Sequence, residues 1–275
     1  MRIYQTLYEC TSETERNLWE MGIDVPIKTM QNKKVEGDPN LGMTKEIMGE
    51  TYKIIDPLNI EGIIKAYNHM FKFDSKNLKI SEEVNKNLHW VQEEFKERIF
   101  NPSKGNCDFI NPGEAWEIRK ETWEPFLVNG KFEYTYNERL RAFNQLQKVI
   151  NHLKSDINSR RAVINIYIGP PFSGYFNDED GICDGYEPGD LQGLKDIKRV
   201  PCSVTYSFLY RENKLHTFYH MRSSDFYLHW INDMHLAAKF GKYVADELKV
   251  DSGELIVYIN SLHAYYGELK KRKIF

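Results

Sequence analysis

Cysteine is scarce in this chain of 275 residues. Its four cysteines, Cys10, Cys107, Cys183 and Cys202, stand at wide, irregular intervals, a pattern that fits neither a disulfide framework nor a paired zinc site. A reduced thiol is expected, and no metal. Long apolar runs are lacking too: none approaches the ~20 residues that span a bilayer. The opening Met1-Arg2-Ile3-Tyr4-Gln5 has no apolar stretch of the kind a secretory signal carries, so a cytoplasmic protein without membrane contact is expected. An excess of one charge is the third absence. With 37 basic and 40 acidic residues along the whole length and a formal net charge of -3, no broad field recruits nucleic acid directly or an anionic membrane. Any phosphorylated ligand has to be held by a few local cations.

What is present is apolar and aromatic: 41% of the residues are hydrophobic and 13% aromatic, the composition of a globular chain long enough to bury a large core. A single domain over residues 1–275 is expected. Residues 1–60 carry mixed signals, with a polar stretch from Gln31 to Gly42 that reads as a loop. Residues 81–100 place Leu88, Val91, Phe95 and Ile99 at helical spacing before Asn101-Pro102, which predicts a helix carrying Glu93 and Glu94. From Glu138 to Ser155, Leu140, Phe143, Leu146, Val149, Ile150 and Leu153 fall on one helical face and predict a second helix, packed on a sheet.

The sheet is expected to begin with the run Ala162 to Ile168, which follows Arg160-Arg161 and is closed by Gly169-Pro170-Pro171. Asn177 to Asp190 is acidic and Gly-rich, but its acidic residues miss the positions an EF-hand loop needs; a surface loop is the reading. Val204 to Tyr210 and Leu215 to His220, joined by Arg211-Glu212-Asn213-Lys214, form the pattern of a hairpin with Cys202 at its entry. Leu236, Phe240, Val244 and Leu248 recur every four residues, so 233–248 is predicted helical with Asp233 in its first turn. A last strand is expected over Leu255 to Ile259. Strands and helices in this irregular order indicate α+β rather than a doubly wound sheet.

Alone, Cys202 reads as a small buried apolar residue and each arginine as a surface charge. Together they suggest more, because arginine is the side chain suited to bidentate phosphate recognition and Arg222 adjoins Ser223. Ser159-Arg160-Arg161, Pro201-Cys202, Arg222-Ser223-Ser224-Asp225 and His263-Ala264-Tyr265 resemble, in order and spacing, the motifs of the thymidylate synthase family, over roughly residues 88–266. The resemblance implies an α+β, thymidylate synthase-like fold, a twisted mixed β-sheet flanked by helices whose sheet packs at a homodimer interface. It also implies a divergent N-terminal region over 1–80 and a nucleotide-binding catalytic core over 81–266.

In chemistry it implies that Cys202 adds to C6 of a pyrimidine nucleoside monophosphate, making C5 nucleophilic toward the one-carbon unit of 5,10-methylenetetrahydrofolate. A thiolate thereby splits one difficult step into easier ones, and nearby arginines favour the thiolate. Arg222 and Ser223 correspond to the phosphate grip, completed by Arg160 and Arg161 donated to the partner's site, so a homodimer is required. His263 and Tyr265 correspond to the pair that holds the sugar hydroxyl. Tyr136 resembles the tyrosine that assists proton transfer at C5, Glu94 the glutamate that organises water and protons, with Glu93 its rival, and Trp123 and Asp225 correspond to the folate site.

Members that make thymidylate carry an asparagine eight residues after the aspartate of the Arg-Ser-x-Asp motif; here that position is Asp233. A carboxylate accepts from the C4 amino group of cytosine, and from N3 once that nitrogen is protonated in the covalent intermediate. Against uracil it sets an acceptor on O4, a mismatch of about 1–3 kcal/mol. Asn232-Asp233 matches the deoxycytidylate hydroxymethylase branch, best known from bacteriophages, in which water rather than hydride quenches the intermediate. The local alternatives are that Asp233 caps the following helix, or that a slip of one residue puts Asn232 on the base.

The chain departs from the family in places. Ten residues follow Tyr265, where family members continue into a segment that closes over folate, and an N-terminal segment is a candidate substitute. Ser207 stands where thymidylate synthases have glutamine, and Lys33 or Lys34 is the substitute for an N-terminal phosphate ligand. The expected activity is dCMP 5-hydroxymethylation. The competing readings are thymidylate synthase or dUMP hydroxymethylase, a CMP hydroxymethylase, and a catalytically silent nucleotide-binding homologue.

Overall fold

The structure, a computed structural model, describes residues 1–30, 33–71, 77–100, 114–127, 135–141, 144–166 and 201–271. Cys107, Phe143, Cys183 and the acidic 177–190 segment lie outside the described residues. In chain order the elements are β1 (Arg2–Thr6), α1 (Leu7–Met21), β2 (Ile23–Pro26), β3 (Thr29–Met30), β4 (Lys33–Lys34), β5 (Met43–Asp56), α2 (Ile60–Phe71), α3 (Asn77–Phe100) and α4 (Glu114–Trp123). They continue with α5 (Tyr136–Arg141), α6 (Gln145–Ser155), β6 (Val163–Asn165), β7 (Ser203–Arg211), β8 (Lys214–Asp225), α7 (Ile231–Leu248), β9 (Asp251–Tyr265) and α8 (Tyr266–Lys271). A π-turn, Phe226–Trp230, joins β8 to α7. No described helix is long and apolar enough to cross a membrane.

The expected α+β architecture is present as a mixed sheet in the order β1-β5-β9-β8-β7-β6, with β2 added along β5. β7 and β8 are the predicted hairpin, antiparallel and turned by Glu212 and Asn213 at φ 52 and 62, the doubly left-handed geometry of a two-residue type I′ turn. β8 then runs parallel to β9, and β9 antiparallel to β5.

Several expectations are corrected. The sheet does not begin at residue 162: β5, from a segment with mixed signals, pairs with β9 from Ile54↔Leu255 to Thr44↔Tyr265. Its signal was hidden because Thr44, Glu50, Tyr52 and Ile54 are the buried row, and Glu50 is buried through an ion pair with Arg2 of β1 rather than by being apolar. Gly49, at φ 68, adds a position that only glycine adopts at no steric cost. The helix expected from Glu138 to Ser155 is two helices, α5 and α6, with Asn144 left-handed at φ 55 between them. Part of the polar stretch after Met30 is a short ribbon, β3 with β4, rather than loop alone. The last strand is far longer than 255–259 and carries His263 and Tyr265 within it.

The α7 helix rides on the sheet closely enough to fix which face becomes the site. A Cβ on Gly241 would lie 2.0 Å from Oγ1 of Thr217 on β8, so only glycine permits this approach. Thr217, Tyr219 and Met221 therefore face α7, level with Leu255, Val257 and Ile259 of β9. Further along, Ser223 and Asp225 of β8 lie level with Ser261 and His263 of β9. Gly241→Ala is expected to lower thermal stability by about 1–3 kcal/mol, because overpacking against Thr217 outweighs the gain in helix propensity of about 1 kcal/mol. A melting temperature equal to wild type would show that α7 can withdraw from β8 at no cost.

Candidate functional site

β7 starts where β8 and β9 end, and this topology alone gathers the motifs that are far apart in sequence. Ser203 pairs with Met221, Ser223 with Ser261 and Asp225 with His263. Cys202 is partly buried just before β7, and both it and Cys10 are thiols rather than disulfides. Its sulfur accepts from Ser223 Oγ at 3.9 Å, and its carbonyl accepts from Arg222 N at 2.8 Å. Arg222 is tied down further: Nε donates to the Pro201 carbonyl at 2.8 Å and Nη1 to Ser223 Oγ at 3.1 Å. Arg222 is thereby held against the Pro201-Cys202 backbone.

Beside them, His263 packs edge-on to Tyr265 with ring centroids 5.5 Å apart. Burial, with the positive charge of Arg222 adding to it, pushes the His263 imidazole down to about 4, so it is neutral near pH 7 and has both a donor and an acceptor. The Tyr265 phenol is held up by burial and then by its proximity to Asp225 and Cys202; it stays protonated. Asp225 Oδ1 accepts from the backbone N–H groups of Tyr227 at 3.1 Å and Leu228 at 3.2 Å. It caps the π-turn and so sets how α7 enters the site.

A second cluster adjoins the first through Tyr136. Ser203, the residue after Cys202, donates from Oγ to the Tyr136 hydroxyl at 3.4 Å and lies 2.6 Å from the Tyr219 hydroxyl. Arg98 of α3 lies over the Tyr136 ring at 4.1 Å, and its Nε donates to Glu94 at 2.6 Å. Glu93, the rival, pairs instead with Lys96 at 2.6 Å. Asp233 is in the first turn of α7, but the N-cap position is Trp230 and carries no side-chain cap bond, so Asp233 is not the cap of its helix. Burial pushes the Asp233 carboxyl up to about 6 against the pull of Arg98 and Arg119, and Glu94 adds to the rise.

The neighbouring Asn232 is engaged elsewhere. Its Oδ1 accepts from the Tyr67 hydroxyl at 2.9 Å and its Nδ2 donates to Asn87 Oδ1 at 3.4 Å. Asn87 Oδ1 also accepts from Arg119 at 2.7 Å, whose guanidinium lies 3.8 Å from the centre of the Trp90 ring. Trp123 stacks on His229 of the π-turn, with centroids 5.5 Å apart and planes at 21°. Among the described residues no three His, Cys, Asp or Glu side chains converge as metal ligands.

Arg160 and Arg161 are not brought to this cluster. Both are exposed in the turn before β6, and Val163 is level with Ser207. Arg161 therefore stands near Leu209, seven positions along β7 from Cys202, or about 23 Å at strand spacing. Lys34 is exposed and pairs with Glu36 at 3.7 Å. Residues that sequence reading missed include Arg98, Arg119, Ser203 and Tyr219. The Glu94-x-x-x-Arg98 spacing was a legible signal for a helix ion pair; Arg119 had none, since its partners come from other helices.

The thymidylate synthase family model matches residues 62–274. A provisionally assigned thymidylate synthase of Methanosarcina mazei is 30% identical over 167 residues, covering 58% of this chain and 67% of that protein. A similarly assigned protein of Methanocaldococcus jannaschii is 25% identical over 194 residues, 64% of this chain and 79% of its own length. Among solved structures, thymidylate synthase A of Bacillus subtilis superposes with a TM-score of 0.59 at 15% identity, covering 98% of this chain and 83% of that one. The thymidylate synthase of T4 phage gives 0.52 at 15% identity, covering 95% and 78%; both show the fold. With three of its four motifs gathered at one end of the sheet, the chain belongs to the thymidylate synthase family, whose members transfer a folate-borne one-carbon unit to a pyrimidine nucleotide.

Proposed function

We propose that this protein is a dCMP 5-hydroxymethyltransferase, converting dCMP, methylenetetrahydrofolate and water into 5-hydroxymethyl-dCMP and tetrahydrofolate. The observation that carries the base assignment is the division of labour between Asn232 and Asp233. The amide that would read uracil after a slip of one residue is occupied at both its oxygen and its nitrogen by Tyr67 and Asn87. The carboxyl of Asp233 instead feels the charges of Arg98, Arg119 and Glu94, and Arg98 covers the ring of Tyr136, which Ser203 joins to the strand next to Cys202.

In this reading the Cys202 thiolate attacks C6 while Arg222 and Ser223 hold the phosphate. His263, neutral, and Tyr265, protonated, hydrogen-bond the sugar hydroxyl. Asp233 accepts from the C4 amino group. Tyr136, linked through Ser203 to the strand that bears Cys202, takes up the C5 proton, and Glu94 orders the water that ends the reaction. Methylenetetrahydrofolate supplies the one-carbon unit, and Trp123 and Asp225 flank its place. Because Arg160 and Arg161 are about 23 Å along the sheet from Cys202, they serve the phosphate of a partner subunit, and the active form is a homodimer.

The second reading is thymidylate synthesis on dUMP, favoured by the assignment of the curated relatives. Tritium release from C5-labelled dCMP and dUMP, each with methylenetetrahydrofolate and with the product identified by mass, separates the two. Release from dCMP with a 5-hydroxymethyl product is expected. Release from dUMP alone would return the protein to the uracil branch, and release from neither would leave a silent homologue.

A further inference from the structure

Glu15 of α1 is a carboxylate with only 8% of its surface exposed, and both its oxygens are engaged across the core. Oε2 lies 2.6 Å from Nε2 of His69 on α2, and Oε1 accepts from the Tyr227 hydroxyl of the π-turn at 3.1 Å. The Tyr227 oxygen in turn accepts from Trp19 Nε1, one helical turn on from Glu15, at 3.1 Å. Burying a carboxylate is costly unless it is paired and hydrogen-bonded, and a network satisfied in this way holds its members in one geometry. Apolar packing is non-directional; these bonds fix position as well as burial.

What they fix is the π-turn, a rare departure from the α-helix that is frequent at functional sites. Tyr227 is its buried near anchor. At the far end Trp230 donates from Nε1 to the Tyr52 hydroxyl of β5. Between these two anchors lies His229, whose ring stacks on Trp123. On the other side of Tyr227, Asp225 accepts from the backbone N–H groups of Tyr227 and Leu228. The hydroxyl of Tyr227 therefore sets where both flanks of the turn stand, and it is set by α1. That helix, Leu7–Met21, precedes the residues 62–274 that the family model matches, so this support comes from a part of the chain outside the family's common pattern.

We propose that Tyr227, held by Glu15, is a positioning residue for folate: the α1 helix sets the place of the π-turn and, through it, the Trp123–His229 stack and Asp225 that flank the co-substrate. The inference rests on the reading that Trp123 and Asp225 flank methylenetetrahydrofolate, and it gives the N-terminal region, which carries none of the four motifs, a part in the site. It differs from a structural role because loss of general packing weakens nucleotide and folate binding alike, whereas a displaced π-turn weakens folate binding selectively.

The test is calorimetric titration of the full chain with tetrahydrofolate in the presence of the nucleotide it binds, dCMP in the reading above, beside titration with that nucleotide alone. Tyr227→Phe, which removes one oxygen, is expected to weaken tetrahydrofolate binding by about tenfold, the effect of losing one hydrogen bond to a charged group, and to leave nucleotide binding within about twofold of wild type. Glu15→Leu should do the same, and Glu15→Gln, which keeps an acceptor for Tyr227, should restore most of the affinity. Unchanged tetrahydrofolate affinity in Tyr227→Phe overturns the proposal, as does an equal loss for both ligands. Should Tyr227→Phe fail to fold, Trp19→Phe, which withdraws the donor to the Tyr227 oxygen, carries the same comparison. Trp123→Ala tests the underlying reading separately. Tetrahydrofolate affinity that survives it takes folate away from the Trp123 stack and overturns the inference with it, as does a wild-type chain that binds no tetrahydrofolate. Loss of affinity in Trp123→Ala beside wild-type affinity in Tyr227→Phe leaves the folate reading standing and removes only the anchor.

Discussion

Cys202→Ser is expected to reduce tritium release from dCMP by about 10³-fold or more while leaving dCMP binding within a few fold of wild type. The reason is chemical rather than steric. A serine hydroxyl is un-ionised near neutral pH and a poor nucleophile, whereas a cysteine sulfur is intrinsically far more nucleophilic toward a carbon such as C6. The backbone of residue 202 need not change: the hydrogen bond from Arg222 N–H to its carbonyl at 2.8 Å survives the substitution, and a serine hydroxyl can still accept from Ser223, which now donates to the sulfur. Turnover by tritium release and affinity by calorimetry give the two numbers. A serine variant that turns over at the wild-type rate would remove Cys202 from the nucleophile's role; one that also loses binding would mean that the sulfur helps shape the nucleotide pocket.

Asp233→Asn is expected to change the dCMP to dUMP ratio of kcat/KM by about 10²-fold or more in favour of dUMP. An amide presents one donor and one acceptor, which matches O4 and N3–H of uracil. Flipped, it also matches cytosine before reaction, but it has no proton to give N3 and its NH₂ then opposes the N3–H of the adduct. A buried donor facing a donor costs about 1–3 kcal/mol, and loss of the acid adds to that, which is why the effect belongs in kcat rather than in binding. The expected variant binds dCMP nearly as well as wild type and fails to process it. Equal processing of dCMP by the asparagine variant would show that another residue reads the base.

How much of this site was legible in advance depended on whether each residue's partners were local. The hairpin and the α7 helix were readable from periodicity because their strands and faces repeat regularly over seven or more residues. Cys202, Arg222, His263 and Tyr265 were identified through short motifs, each of which holds several site residues side by side. β5 escaped notice because its buried row includes Glu50, neutralised by Arg2 from another strand, and no pattern within one segment shows a charge satisfied from outside it. The break between α5 and α6 was hidden for a different reason: the apolar pattern of the sequence continues past Asn144, while the backbone there is left-handed, at φ 55. Arg98 and Arg119 are charged residues on helical segments, indistinguishable by type from their solvent-exposed neighbours.

By itself the amino-acid sequence determined the chemical types and their order: one cysteine at a strand entry, an Arg-Ser pair, a His-x-Tyr pair and an aspartate where relatives that make thymidylate have asparagine. It also determined the class of fold, since alternation and helical spacing are properties of each segment and need no partner. Tertiary structure decided which of those residues meet. The meeting of β7, β8 and β9 at one end of the sheet joined the motifs around Cys202, while register placed Arg161 far along the same sheet. Packing of α3 against α7 left the Asp233 carboxyl pushed up to about 6 by burial, against the pull of Arg98 and Arg119. That last decision matters most for the chemistry, because the proton affinity of a carboxyl is set by burial and by the charges around it, and those are supplied by residues more than a hundred positions away in the chain.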